Sequence, residues 1–418
     1  MRFLFVTQYF APEIGGAATR LQFIIEHLRR LGHEVEVVTS RPNYPHGKFI
    51  DGRGSKLYVR EVRSGIVVHR VWLYPAIGGG VGRMINYATF SLTSILGVFR
   101  AQRPDYLFVE SPPLFTSISA RLAKLVWGVP YIFNVADLWP DAAIETGFLK
   151  EGIVHRLLLV LEAWSYRGAD YVNAVTEGIR NTITVNKHVP PEKVLFLPNG
   201  VDVERYQPRE PDFALKKRLG LEGKRIILWA GTVGYSHGLE YVLQAAKILA
   251  KDPEIHFLFV GSGSTRTQLE QLKDELNLTN VTFRDPVPIE ELPAYHSIAE
   301  SGLASLRAFP SHEGARPSKI FAVLASGKPL IFFGSGECAR LIDRAQAGIV
   351  VPPENPAALA EGIAHLFADR ELMGRLGDNG RRFVTENFQW SELIARWLEG
   401  LRPTRSRSVK GARISATS

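Results

Sequence analysis

Residues 225–264 read RIILWAGTVGYSHGLEYVLQAAKILAKDPEIHFLFVGSGS. RIILWAG is a short apolar run that ends at Gly231, and HFLFVGSGS is another that closes on Gly261 and Gly263. Between them a helical pattern runs from Gly238 to about Leu249. Strand, glycine turn, helix and strand make one βαβ unit of a parallel sheet with helices on its faces. VTFRDPV, GLASLRA and PLIFFGS continue the series toward the C-terminus.

The same grammar has already run once. RFLFVTQ leads to Gly15-Gly16, then to a helix on Leu21, Ile24, Ile25 and Leu28 that Gly32 stops, then to EVEVVTS. IVVHRV, YLFVE, YIFNVAD and YVNAV follow, and the first half closes at LPNGVD, residues 197–202. The expected fold is therefore α/β, with two Rossmann-like doubly wound domains facing a cleft. The first spans 1–202 and the second 203–378, and a helical pattern at about 379–401 returns to pack on the first. Ligands of such sheets bind beyond the carboxyl ends of the strands.

Composition agrees with this reading. Of 418 residues, 45% are hydrophobic and 22% charged, which is a globular balance rather than a disordered one. One cysteine, Cys338, excludes an intramolecular disulfide and points to a reducing, cytoplasmic setting. Five of the eight net positive charges lie in the acid-free tail 402–418, expected to be disordered and suited to an anionic membrane surface. No aromatic-interleaved basic motif supports nucleic acid as a partner. Two further stretches, the helix after Ile77-Gly78-Gly79-Gly80 and the run from Gly152, read as core helices with an interfacial membrane role as the rival.

Candidate chemistry gathers at the glycine turns. Gly15-Gly16 and the 231–238 turn, with Gly231, Thr232 and His237, could offer backbone N–H groups to a phosphate. The first turn lacks the G-x-G-x-x-G spacing and the acid of a nicotinamide site. Asp137 stands at the carboxyl end of a strand, where reacting groups gather. The histidines show no metal-ligand spacing, and none of the residues forms a metal motif. PSKIFAVLASGKP, residues 317–329, reads as a short helix N-capped by Ser318. Lys319 then places a cation in the first turn, where only a bound anion makes it favourable. Ser318, Lys319, Ala322 and Ala325 or Ser326 share its small, polar face, and Arg316 lies just before it.

YFAPEIGGAATR, SPPLF, DLWPD, LPNGVD, VGSGS, VTFRDPVP, PSKIFAVLASGKP and GSGE, in this order and spacing, resemble the retaining glycosyltransferases of family 4. These enzymes have the GT-B fold, and the likeness is to the bacterial branch that uses UDP-activated N-acetylated sugars for O-antigen and capsule. The resemblance implies no metal and no cofactor, a UDP-sugar donor in the cleft and a lipid-linked saccharide acceptor. It implies a cytoplasmic enzyme peripheral to the inner face of the cell membrane. By the same resemblance Gly15 and Gly16 approach the sugar and diphosphate, Lys319 neutralises phosphate, and Asp137 lies near acceptor and donor sugar. Arg284 would face the base, and Glu337 would stand beside the donor. Gly314 and Ala322 occupy the positions of two glutamates that many members use on the ribose, with Glu313 one residue away from the first. Two alternatives remain: a UDP-N-acetylsugar epimerase of the same fold, and a GT-B scaffold weakened in catalysis.

Overall fold

The computed structural model describes residues 1–401 except 14, 45, 46, 51, 53–55 and 77–79. The basic tail and the glycines at 78 and 79 lie outside the described residues. The first sheet has eight strands in the order β3-β4-β2-β1-β5-β6-β7-β8. These are β1 Arg2–Val6, β2 Glu34–Ser40, β3 Tyr58–Arg63, β4 Ile66–Val71, β5 Tyr106–Ser111, β6 Tyr131–Val135, β7 Tyr171–Ala174 and β8 Val194–Phe196. All pair in parallel except β3 with β4, which form an antiparallel edge hairpin.

β3 is a strand that hydrophobic pattern alone does not announce. YVREVR is mostly exposed or half-buried at the sheet edge, so its sequence carries charge where a central strand carries apolar residues. Its turn is legible: Ser64 and Gly65 both have positive φ, the geometry that joins two twisted strands through a two-residue loop.

The second sheet has the order β11-β10-β9-β12-β13-β14 and is parallel throughout. Its strands are β9 Arg225–Ala230, β10 Ile255–Val260, β11 Val281–Arg284, β12 Ala299–Ser305, β13 Leu330–Phe333 and β14 Gly348–Val351. In each sheet the chain builds outward from one strand and then reverses to its other side, at β1/β5 and at β9/β12. Those reversals open the crevices in which an α/β sheet takes ligands. Each sheet is buried on both faces. In the first, the helices Gly80–Arg100, Thr116–Trp127 and Ile153–Gly168 cover one face, and Gly16–Arg30 and Trp390–Glu399 the other.

The C-terminal pattern expected as one stretch from Asn379 to Leu401 is two helices. Arg370–Asn387, capped by Asp369 on the Leu372 N–H at 2.8 Å, belongs to the second domain. The chain then breaks at Phe388-Gln389, and only Trp390–Glu399 docks on the first domain. The crossing is tied to the outgoing segment, since Val201 N–H donates to Phe388 O at 2.8 Å and Trp390 N–H to Val201 O at 3.3 Å. Gly200 packs there with no room for a side chain, a Cβ lying 2.8 Å from Phe388 O. The returning helix buries Trp390, Ile394 and Trp397. Trp397 Nε1 donates to Asn173 Oδ1 at 3.1 Å, entering a buried polar chain through Asn134 to Glu110. Among the described residues no helix is long and apolar enough to cross a membrane.

Candidate active site

Consider first the end of β9. Gly231 has φ 142°, a conformation that side chains disfavour, and its added Cβ would stand 3.1 Å from the Lys319 Cε. The turn that follows is held from β12 and its extension. Arg307 N–H donates to Ser236 O at 2.9 Å, Arg307 Nε to Tyr235 O at 2.8 Å, and Ser305 Oγ to His237 O at 2.6 Å. Arg307 also pairs with Glu240. Sequence reasoning passes over Arg307, although an arginine directly after an apolar strand is the one available signal.

Inside this turn Trp229, His237 and Lys319 pack together. The His237 ring meets Trp229 edge-on with centroids 4.9 Å apart, and its Nδ1 bonds Ser305 O at 2.9 Å. That bond makes Nδ1 the protonated nitrogen of a neutral ring. Burial, then the nearby Lys319 charge, holds His237 well below its ordinary value, so it stays neutral. The Lys319 Nζ rests 3.2 Å from the centre of the Trp229 ring. Its stem is half-buried, but the nitrogen is enclosed and has no hydrogen-bond partner. Burial drives its value well down.

The helix of Lys319 differs in two details from its expected form. Ser318 has φ −63° and ψ −23°, itself helical, and its hydroxyl caps nothing. A side-chain cap needs the extended backbone that Ser318 lacks. Ala325 and Ser326 are buried, and the Ser326 hydroxyl turns back to Ala322 O at 2.8 Å. The open face is therefore Ser318, Lys319 and half-buried Ala322.

Arg316 and Glu337 have taken another occupation. The Glu337 carboxylate accepts from the backbone N–H groups of Gly178 at 2.6 Å and Glu177 at 3.2 Å. Those groups open the Glu177–Asn181 helix of the first domain, so the acid caps a helix across the cleft. Arg316 lies 3.6 Å from Glu337 and donates to Val175 O at 3.4 Å. It is buried against Phe321 and Phe388. Thr176 Oγ1 donates to Gly314 O at 2.6 Å, and a Cβ on Gly178 would fall 2.3 Å from Gly314 Cα. This contact explains why position 314 carries no acid: no side chain fits there while the domains touch. Glu313 does not step in, because it pairs with Arg340 at 2.6 Å on the surface.

On the first domain, Asp137 follows β6 at the cleft. It is reached by solvent but surrounded by protein, and this desolvation raises its carboxyl while His312 opposes the shift. His312 donates through Nδ1 to Arg307 O at 2.9 Å and stands on the Pro310–Gly314 turn, where the second domain meets the first. It reaches this place because Ser311 N–H donates to Glu145 Oε2 at 2.8 Å. Spacing along the chain gives no hint of this.

Gly15 and Gly16 lie at the β1/β5 reversal, opening the Gly16–Arg30 helix with no side-chain cap. A Cβ on Gly16 would meet nothing within 4 Å, so packing does not demand a glycine there. Beside it, buried Glu13 accepts from the N–H groups of Asn43 at 2.8 Å and Tyr44 at 2.9 Å, fixing the loop that bears Tyr44. Arg83 stacks over Tyr87 at 4.6 Å, and Tyr87 meets Trp139 of the Asp137 loop edge-on at 6.0 Å. Gly231, His237 and Lys319 are thus brought together, with Thr232 exposed alongside. Arg284 stands apart: it is exposed on the edge strand β11, and its carbonyl takes the Gly261 N–H at 3.0 Å. Among the described residues no group of three or more His, Cys, Asp or Glu could hold a metal ion.

Residues 15–200 match the family described as glycosyl transferase 4-like domain, and residues 212–383 match glycosyl transferases group 1. The chain is 28% identical over 366 residues to the putative colanic acid biosynthesis glycosyl transferase WcaI of Escherichia coli K12, covering 85% of this chain and 89% of that one. Among solved structures, sucrose-phosphate synthase of Thermosynechococcus elongatus superposes with a TM-score of 0.74 at 18% identity, over 95% of this chain and 97% of that one. Anabaena HepE in complex with UDP-glucose superposes at 0.71 and 17% identity, over 96% and 100%.

Proposed function

This chain is a glycosyltransferase of the GT-B fold, a member of the family that joins a glycosyl transferase 4-like domain to a group 1 domain, and from that premise we propose that it moves an N-acetylated hexosamine from a UDP-sugar to a lipid-linked saccharide in surface-polysaccharide synthesis. The observation that carries the donor side is Lys319: an enclosed ammonium with no hydrogen-bond partner, at a strand-end glycine turn. A diphosphate supplies the missing anion. HepE, which superposes on this chain, is known in complex with UDP-glucose.

In this reading Lys319 and the Thr232 N–H stabilise the departing diphosphate, while the Gly231 N–H is held by Val260 O at 2.9 Å, and no metal takes part. Neutral His237 supports the turn and adds no competing charge. The acceptor hydroxyl attacks from the face that the diphosphate leaves, so the anomeric configuration is retained, and the leaving phosphate oxygen accepts the proton. Asp137 lies beside the two sugars. The Arg83, Tyr87 and Trp139 cluster lines the acceptor side, where aromatic faces and one cation suit a saccharide carrying phosphate.

Titration with UDP in magnesium-free buffer tests the donor assignment. Saturable binding is expected, and no binding at millimolar UDP would refute it. Incubating the donor alone and following it by NMR distinguishes the epimerase, which would release an isomeric UDP-sugar without any acceptor.

A further inference from the structure

Three neighbouring helices on one face of the first sheet leave apolar side chains facing water. On Gly80–Arg100 the outward stripe is Val81, Ile85, Leu92, Leu96 and Phe99, spaced at whole turns, while Phe90 and Val98 face the core. This helix is apolar on both sides, as are helices buried in protein or in lipid. On Thr116–Trp127 the outward residues are Leu125, 82% exposed, and Val126. On Ile153–Gly168 they are Ile153, Leu157 and Val160, each more than 60% exposed.

The helices lie side by side, so the stripes merge into one surface. Phe99 packs edge-on against Trp127 at 5.0 Å, and Ser165 Oγ donates to Ser117 Oγ at 2.7 Å. Patches of this kind on a folded chain mark a contact with something apolar.

Charge selects the occupant. The three helices carry six cations: Arg83, Arg100, Arg121, Lys124, Arg156 and Arg167. Their single acid, Glu162, is buried and taken by Lys187 at 2.8 Å. Lys124 is matched by Asp170 from the next loop at 2.7 Å. An apolar surface set among cations, with no acid on its outer stripes, complements an anionic bilayer. A second copy of this chain would place like charges opposite one another.

We propose that this three-helix face is the surface by which the protein rests on anionic lipid, its apolar stripes entering the headgroup boundary. The inference deepens the lipid-linked acceptor of the proposed function and depends on that reading only for what the membrane delivers. Helices that follow parallel strands begin at the carboxyl edge of the sheet, so Val81 and Ile153 lie at the cleft end of the face. A lipid-borne saccharide therefore meets the Asp137 loop without leaving the bilayer.

The test uses the full chain in a flotation assay. Vesicles of equal parts phosphatidylglycerol and phosphatidylcholine are compared with phosphatidylcholine alone. Wild type is expected to float with the anionic vesicles. The double variant Leu125→Glu with Leu157→Glu is expected to partition roughly tenfold less, because both apolar burial and charge attraction are lost. Its melting curve and UDP binding are expected to match wild type, since both side chains are exposed. Equal flotation of the double variant would overturn the proposal, as would wild type that stays off anionic vesicles. A wild-type dimer in sedimentation, split by the variant and indifferent to lipid, would assign the face to a second copy instead. Failure of wild type to bind UDP would refute the donor assignment and leave the flotation result standing.

Discussion

Replacing Lys319 by methionine separates binding from stability. The ammonium is enclosed, has no hydrogen-bond partner and sits 3.2 Å above the Trp229 ring. That cation–π contact returns about 0.5–2 kcal/mol. Withdrawing an ion from water costs several kcal/mol even after relaxation, so the free protein carries a net penalty. Methionine keeps most of the stem against Gly231 and removes the charge. The unliganded variant is expected to be more stable by about 1–3 kcal/mol in chemical denaturation. With UDP the sign reverses. Each ionised hydrogen bond to phosphate is worth about 1.5–3 kcal/mol, so the dissociation constant rises roughly 10- to 100-fold per bond lost.

Proton linkage identifies the cause. Burial lowers Lys319 in the free protein, and a neighbouring diphosphate raises it. Between the two values, binding takes up a proton, which calorimetry in buffers of different ionisation enthalpy detects. In the unliganded protein the unfolded chain holds this proton more tightly than the folded one. Stability from this group therefore rises with pH, and the methionine variant flattens that rise. A variant that binds UDP within about threefold of wild type, with unchanged buffer dependence, would refute the phosphate role.

Three further outcomes are expected. Gly178→Ala sets a Cβ 2.3 Å from Gly314 Cα across the cleft, so the domains must part there; X-ray scattering should show a more open molecule, and a wild-type profile would sink the reading of this contact as a closure point. Ala322→Glu restores the acid that the family places one turn beyond Lys319; one ionised bond to ribose would tighten UDP roughly tenfold, whereas unchanged affinity would show that the ribose lies elsewhere. Glu110, buried beside Arg20 and Asn134, is pushed up by burial to about 7 from 4.5. The folded state then holds its proton more tightly, so the contribution is full below pH 4.5 and is lost as pH rises through about 7. Glu110→Gln should flatten stability across that window, and an unaltered slope in urea titrations at several pH values would contradict it.

The two-sheet architecture was readable along the chain because central parallel strands are buried on both faces. Each must be a short apolar run closed by a turn, and RIILWAG and HFLFVGSGS announce themselves. β3 and the break at Phe388-Gln389 escape that logic. An edge strand carries charge to resist pairing with other chains, and a helix break set by one bridge to Val201 leaves no periodic trace.

The site divides along the same line. Lys319 was legible because a cation in the first turn of a helix is locally unfavourable and asks for an anion. The expectation of an anion there comes from sequence alone, together with the glycines at the strand ends. What only the tertiary structure decided is which groups remain free to use it. Arg316 and Glu337 read like ligands, yet the meeting of the domains places their charges against Val175, Glu177 and Gly178, and packs Gly314 against Gly178. His312, isolated in sequence, is brought to the meeting of the domains by the bond from Ser311 to Glu145. Local pattern states what a side chain can bind; the desolvation and the partners that fix what it does bind come from other elements of the fold, as Trp229 encloses Lys319 and Gly178 holds Glu337.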